Sequence, residues 1–336
     1  LKSLLVVQSR LADVAMALQA GSKVCVTGAS GFIASHIVKQ LLEKGYVVYG
    51  TVRDASNAKK TEHLRSLPGA EERLKLFSAE LLTEGAFKEP MAGCSAVFHV
   101  ASPLPPGKGV TDPETVVLRP AVEGTKNVMQ ACAEAEDLRV VVLTSSMSAM
   151  APVPEPPLKC EEHWSDPERQ KSVQSFYGAS KTLAEQTAYK LAEGCKFRLV
   201  SICPTMVVGP MLQPEINMTM QSLCNWLKNG RSEGKCPNDS MSFVDVRDCA
   251  AQHIAAMESE QHSGRYMSLD CSWHWNELDV LMKEICPAMP ASTPCEDPVK
   301  PTQFDTTRQQ TLGVEWRKVP EILRDAKDEL VAKGFL

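Results

Sequence analysis

The chain has 336 residues, 43% of them hydrophobic and 23% charged, with a formal net charge of −5. This is ordinary globular composition with enough length for a large core, and with no long basic block it argues against nucleic acid as a partner. No apolar run approaches the ~18–20 residues needed to span a bilayer. The twelve cysteines include no Cys-x2-Cys pair and no Cys/His cluster with zinc spacing, so no metal site is expected, and scattered reduced thiols fit a cytoplasmic location.

Leu4, Val7, Leu11, Val14 and Leu18 recur at intervals of three and four, the seam of an amphipathic helix over residues 1–20. Gln8, Ser9, Arg10 and Asp13 interrupt any signal-peptide core. The chain starts at Leu, which reads as a fragment, a processed form or an extension ahead of a start at Met16. The segment is expected to be either a docking helix or an appendage without function.

Residues 23–27 form a short apolar strand that runs into Gly28-Ala29-Ser30-Gly31-Phe32-Ile33-Ala34 and a helix through Leu42. Lys44 and Gly45 signal its end, and residues 47–52 make a second strand. A strand, a Gly-rich turn, a helix and a strand in this order form the context of a dinucleotide fingerprint. Gly28 permits the tight turn, and Gly31 lets the backbone approach a pyrophosphate at the helix N-terminus. Ala34 replaces the third glycine, at a position that serves helix–strand packing. After the second strand come Arg53, then Lys59 and Lys60, cations suited to the 2′-phosphate of NADP. Asp54 would reverse that preference if it pointed inward; it is expected to face away, as neighbours on extended backbone do.

Further strands are expected over 74–78, 96–100, 140–145 and 197–203, separated by helical segments such as 122–135. This alternation predicts an α/β fold with a doubly wound parallel sheet. Pro103, Pro105, Pro106, Gly107 and Gly109 mark a loop at the carboxyl edge of the sheet, and residues 150–157 a second Pro-rich loop. That loop leads to a helix from about Ser175 to Glu193. Tyr177 and Lys181 stand four apart on it and therefore share one face. A free tyrosine has a pKa near 10; an ammonium beside it favours the phenolate and is expected to lower that value. The pair suits proton donation to a carbonyl oxygen, or removal of a proton from an alcohol.

After Pro204 the alternation weakens. Residues 205–240 read as loops with one helix around 223–227, followed by a strand at 242–246, a helix from Asp248 to about Met257, and a strand at 264–269. Residues 287–301 read as surface loop, and 304–336 as a strand or turn with a closing helix. The expected organisation is an extension at 1–20, a mainly nucleotide-binding Rossmann domain at 21–204, and a smaller lobe at 205–336, with 242–257 returning to the Rossmann sheet.

The stretches VTGASGFIASHIVKQLLEKGYVVYGTVRD, VFHVASP, RPAVEGTKNVMQAC, VVLTSSMSA, WSDPE, YGASKTLAEQTA, CPTMVVGP, SFVDVRDCA and LGVEW…AKGFL run in order over residues 22–336. On these the chain resembles the extended short-chain dehydrogenase/reductases, in particular the dihydroflavonol 4-reductase and cinnamoyl-CoA reductase group. The resemblance implies a Rossmann fold, NADP(H) as cofactor and a small-molecule carbonyl substrate. It implies Tyr177 as catalytic acid, Lys181 on the nicotinamide ribose, and Ser146, with Ser145 as competing assignment, on the substrate carbonyl. It further implies cofactor contacts from Gly28, Ser30, Gly31, Phe32, Ile33, Arg53, Lys60, Glu80, Leu81, Val100, Ala101, Ser102, Pro204 and Val207. Glu80 stands where the family usually has Asp, and Asn127 reads as structural.

The chain departs from both named activities. Dihydroflavonol reductases keep an Asn soon after the serine motif, where Ala151 stands here. Cinnamoyl-CoA reductases carry Asn-Trp-Tyr-Cys-Tyr-Gly-Lys, where this chain has Ser-Phe-Tyr-Gly-Ala-Ser-Lys. The expected reaction is NADPH-dependent reduction of a ketone, aldehyde or thioester. Its rivals are an epimerase, dehydratase or hydroxysteroid-type dehydrogenase of the same superfamily, and a catalytically idle reductase fold serving a larger assembly. A monomer or homodimer is expected, with the N-terminal segment as the candidate docking element if it is not a mere appendage.

Overall fold

The computed structural model describes residues 18–103 and 112–336; the seam over residues 4–14 and the loop from 105 to 109 lie outside the described residues. The strands are β1 (Lys23–Val26), β2 (Val47–Val52), β3 (Leu74–Ser78), β4 (Ala96–His99), β5 (Val140–Thr144), β6 (Arg198–Pro204), β7 (Met206–Val208), β8 (Ser240–Asp245), β9 (Gly264–Ser268) and β10 (Ser272–His274). The principal helices are α1 (Phe32–Glu43), α2 (Ala58–Arg65), α3 (Arg119–Glu134), α4 (Phe176–Ala192), α5 (Met218–Asn229), α6 (Val246–Glu258), α7 (Trp275–Ile285) and α8 (Val319–Ala332).

Seven strands form one sheet in the order β3-β2-β1-β4-β5-β6-β9, every pairing parallel. The sequence dictates this through strands that are apolar on both faces, as a doubly covered parallel sheet requires. Val24, Val26, Val140, Val142, Val200 and Ile202 pack with Ile37, Leu41 and Ile254, under α1 and α6. The alternate residues Cys25, Val97, Val141, Leu143 and Leu199 pack with Val128, Met129 and Ala188, under α3 and α4. Fully burying a residue such as Ile202 contributes roughly 1.5–3 kcal/mol, and truncating it to Ala would cost about 2–5 kcal/mol.

Most residues after Pro204 build a smaller lobe with its own core. Its sheet has the order β10-β8-β7, β7–β8 parallel and β8–β10 antiparallel. Trp226 and Trp275 meet edge to face at 5.3 Å, and the Arg231 guanidinium lies 3.8 Å over the Trp275 ring. Three expectations are corrected here. The strand part of 242–257 is β8, which joins the small sheet; only its helix, α6, packs on the Rossmann sheet, and the strand that returns is β9. Residues 205–240, read as loops around one helix, also contain β7, a three-residue strand closed off by Pro204 and Gly209. Leu18, assigned to the extension, packs against the sheet core, and its carbonyl accepts from the Tyr46 hydroxyl at 3.1 Å.

The sheet order fixes where a ligand can sit. From β1 the chain winds through β2 to β3 on one side, and from β4 through β5 and β6 on the other. The carboxyl ends of β1 and β4 therefore flank the crevice at the switch point.

Candidate active site

The turn after β1 brings its backbone close to the end of β4. Gly28 has φ +64°, and a Cβ there would lie 3.0 Å from the Ala101 Cα, so only glycine fits. Thr27 fastens the two strand ends: its Oγ1 accepts from Val100 N–H at 3.1 Å and Ala101 N–H at 3.0 Å. With both lone pairs used, its hydroxyl proton goes to His99 Nδ1 at 3.2 Å, and His99 Nε2–H donates to Thr125 Oγ1 at 3.3 Å. Burial and the charge of Lys181 lower the His99 pKa to about 3, so the ring is neutral.

Gly31 is the N-cap of α1, and no side chain caps that end. The N–H groups that open α1, at Phe32 and Ile33, have no intrahelical acceptor, which is a ready anion site. The side chain of Phe32 faces away, into the core of the small lobe, while Ile33 packs against both cores. Ser30 is half-buried on the turn. Arg53, directly after β2, is exposed, and Lys59 and Lys60 are exposed at the start of α2, where Asn57 caps the Lys60 N–H at 3.3 Å. The Asp54 carboxylate accepts from Ser56 N–H at 2.9 Å and Ser56 Oγ at 2.6 Å, which lowers its pKa and occupies one oxygen. On the far rim, Glu80 is exposed, and Asn127 Nδ2 pins the Leu81 carbonyl at 2.7 Å. Val100, Ala101 and Ser102 are half-buried at the crevice wall. An uncapped helix, a glycine in backbone contact and exposed cations beyond it suit a phosphorylated dinucleotide.

Ser146 and Tyr177 meet beside this crevice, with Lys181 one turn further along α4. Ser146 caps a short 3₁₀ turn, Met147–Met150; its Oγ accepts from Ser148 N–H at 3.2 Å and is 3.0 Å from Ser148 Oγ. A side-chain hydrogen bond joins it to Tyr177. Ser145 Oγ, the competing assignment, instead donates to the Glu185 carboxylate at 2.8 Å. Lys181 Nζ is buried and donates to the Thr144 carbonyl at 3.2 Å. Burial lowers its pKa to about 8 against the opposing pull of Glu185 and Cys203. Thr144 Oγ1 in turn donates to His253 Nε2 at 2.8 Å; His253 Nδ1–H is held by the Cys249 carbonyl at 2.7 Å, so this ring too is neutral.

The Tyr177 pKa differs from expectation. Burial raises it, and the lowering influence is the hydrogen bond from Ser146, not Lys181, whose ammonium is directed to the end of β5. Of the remaining expected residues, Pro204 is buried at the end of β6. Val207 is buried in the small lobe's core, and its carbonyl accepts from Thr219 Oγ1 at 2.5 Å. Two groups went unnoticed in the sequence. Glu215 reaches from the small lobe to form an ion pair with Lys60, with Lys59 and Arg53 also near enough to lower its pKa. Glu185 and Arg265 form a buried ion pair behind the Ser-Tyr-Lys group. The one available signal was the placement of Glu185 four and eight residues beyond Lys181 and Tyr177 on a single helix. Among the described residues, no cluster of three His, Cys, Asp or Glu side chains could hold a metal, and no helix is long and apolar enough to cross a membrane.

Comparison with known proteins agrees with this architecture. Residues 24–268 match the model of the NAD dependent epimerase/dehydratase family. The chain is 41% identical over 323 residues to tetraketide alpha-pyrone reductase 1 of Arabidopsis thaliana, covering 95% of this chain and 98% of that protein. It is 38% identical over 322 residues to the cinnamoyl-CoA reductase CAD2 of Medicago truncatula, covering 94% and 97%. Among solved structures it resembles vestitone reductase from alfalfa, with a TM-score of 0.78 at 27% identity over 94% of this chain and 99% of that one. It also resembles Gre2 of Candida albicans in complex with NADPH, with a TM-score of 0.78 at 29% identity over 93% and 99%.

Proposed function

The chain belongs to the NAD dependent epimerase/dehydratase family, and from that premise we propose that it is an NADP(H)-dependent oxidoreductase that reduces a ketone, aldehyde or thioester carbonyl of a small organic molecule. The observation that carries the reading is the contact of Ser146 with Tyr177 beside the β1–β4 crevice, with Lys181 one turn along the same helix and held at the end of β5. NADP(H), when bound, supplies the hydride. The uncapped N-terminus of α1 would take its pyrophosphate, with Gly28 allowing close approach to the wall of Val100, Ala101 and Ser102. Arg53 and Lys60 would read the 2′-phosphate, and Glu80, Leu81, Pro204 and Val207 would border the nucleotide through surface or backbone contacts.

The chain's own residues then handle oxygen and proton. Ser146 and Tyr177, already hydrogen-bonded to one another, would both point to the carbonyl oxygen. Tyr177 would supply the proton as the alkoxide develops. Burial makes its phenol a reluctant acid in isolation, so Ser146 must stabilise the developing phenolate, while Lys181 would hold the nicotinamide ribose beside it. Positioned acid catalysis contributes about 10²–10⁴-fold, and fixed donors at the oxyanion add to it. The lobe from 205 to 336 would close over the substrate.

The test is NADPH oxidation over a panel of ketones, aldehydes, flavonoids and acyl-CoA thioesters. Net oxidation with one alcohol, or one aldehyde from a thioester, formed per hydride delivered supports the reading. Turnover without net NADPH consumption would point to an epimerase, and no turnover of any compound to a fold kept for assembly.

A further inference from the structure

The ion pair behind the site is built with unusual completeness. Glu185 lies on α4 one turn beyond Lys181 and two beyond Tyr177, and its side chain is 0% exposed. Its Oε1 accepts from Arg265 Nε at 2.9 Å; its Oε2 accepts from Arg265 Nη2 at 3.1 Å and from Ser145 Oγ at 2.8 Å. The other N–H groups of Arg265 go to backbone carbonyls: Nη1 to Glu161 at 3.1 Å and His163 at 2.5 Å, Nη2 to Ala149 at 3.0 Å. All five guanidinium protons are therefore used, and its Cζ lies 3.7 Å over the Trp164 ring.

The targets of these bonds are informative. Ser145 directly precedes Ser146, and Ala149 lies within the 3₁₀ turn that Ser146 caps. The pair thus grips the chain on both sides of Ser146, from the helix face that carries Tyr177 and Lys181. A buried ion pair adds little net stability, because desolvation offsets the attraction; where one is retained, its attested use is to fix one arrangement.

We propose that Glu185 and Arg265 are positioning residues that hold the Ser146 turn in register with Tyr177 and Lys181. This rests on the reading of those three groups given above. Glu185 also faces Lys181 electrostatically. The other titratable groups near that ammonium are Tyr177 on the preceding turn of α4, His99 on β4 and Cys203 on β6, all held neutral by burial. Glu185 is therefore the carboxylate that supports the Lys181 charge.

The experiment compares Glu185→Gln, Ser145→Ala and Tyr177→Phe with wild type, using a carbonyl compound that the wild type reduces. It measures kcat, KM, NADPH Kd by fluorescence, melting temperature and the pH profile. Glu185→Gln should lower kcat at least about tenfold, since small misplacement of reacting groups costs up to about 10². Its NADPH Kd should stay within about twofold, and its alkaline limb should move to lower pH by about half a pH unit or more, because Lys181 loses its counter-charge. Ser145→Ala removes one grip and no charge; it should lower kcat severalfold and leave the limb in place. Wild-type kcat in both variants overturns the proposal. So does a parallel loss of kcat, NADPH binding and melting temperature in Glu185→Gln with an unmoved limb, the mark of a merely structural pair. If Glu185→Gln does not fold, an unchanged kcat in Ser145→Ala overturns it alone. Wild-type turnover in Tyr177→Phe would instead remove the underlying reading, and the positioning role with it.

Discussion

The two ends of the candidate site are built on opposite physical terms. At the nucleotide end, Arg53, Lys59 and Lys60 are exposed, and among the described residues Glu215, itself 56% exposed, is the side-chain partner of Lys60. At the chemical end, Lys181, Glu185 and Arg265 are buried, and their polar atoms are tied to named partners. Exposed charges in water are worth little each and are screened over about 8–10 Å. Buried charges interact strongly and are costly to disturb. One end can therefore be tuned by increments and should respond to salt. The other should respond to pH and tolerate almost no change.

Three perturbations sharpen that contrast, in decreasing order of effect. Lys181→Met removes the buried ammonium, and kcat should fall by about 10² or more. In wild type the same group should produce an alkaline limb. Its pKa is about 8, lowered by burial, so the charged form prevails below that pH and the rate falls as pH rises through it. A kcat flat from pH 7 to roughly 9.5, or an active Lys181→Met enzyme, would erase the distinction between the two ends.

Next, Arg53→Ala should weaken NADPH about ten- to hundredfold and barely change NADH, since a charge-assisted contact contributes about 1.5–3 kcal/mol. High salt should shrink this difference, whereas it should not alter the Lys181 limb. Equal losses for both cofactors would remove Arg53 from phosphate reading. Smallest is Glu215→Gln. If Lys60 reads the 2′-phosphate as proposed, Glu215 would compete with it, so its neutralisation should tighten NADPH by about two- to fivefold, the worth of an exposed ion pair. Isothermal titration of NADPH and NADH into both proteins checks it, and an equal shift for the two would show that Glu215 acts on something else.

How legible each end was follows from the same contrast. The fold of the nucleotide half was written in local pattern. Two-faced apolar runs such as residues 140–144, and a glycine turn between a strand and a helix, determine a parallel sheet without reference to distant residues. The Tyr177–Lys181 pair was likewise visible, because helical spacing places both on one face. What escaped depends on contacts remote in sequence. Arg265 meets Glu185 across 80 positions, and Lys60 meets Glu215 across 155; no periodicity encodes either. Val208 and Ser240 begin and end a gap within which only packing decides that β7 pairs with β8. The raised Tyr177 pKa escaped for the same reason, since burial is a property of the assembled site and not of the spacing to Lys181.

The account turns on Tyr177 as the acid. Its most direct test is a single-turnover measurement of NADPH consumption by Tyr177→Phe, with NADPH Kd determined on the same protein. The ring and its packing are kept and only the hydroxyl is lost, so Kd should stay within about twofold while the rate falls at least about 10²-fold. A rate close to wild type would contradict the mechanism, whatever the structure places around that hydroxyl.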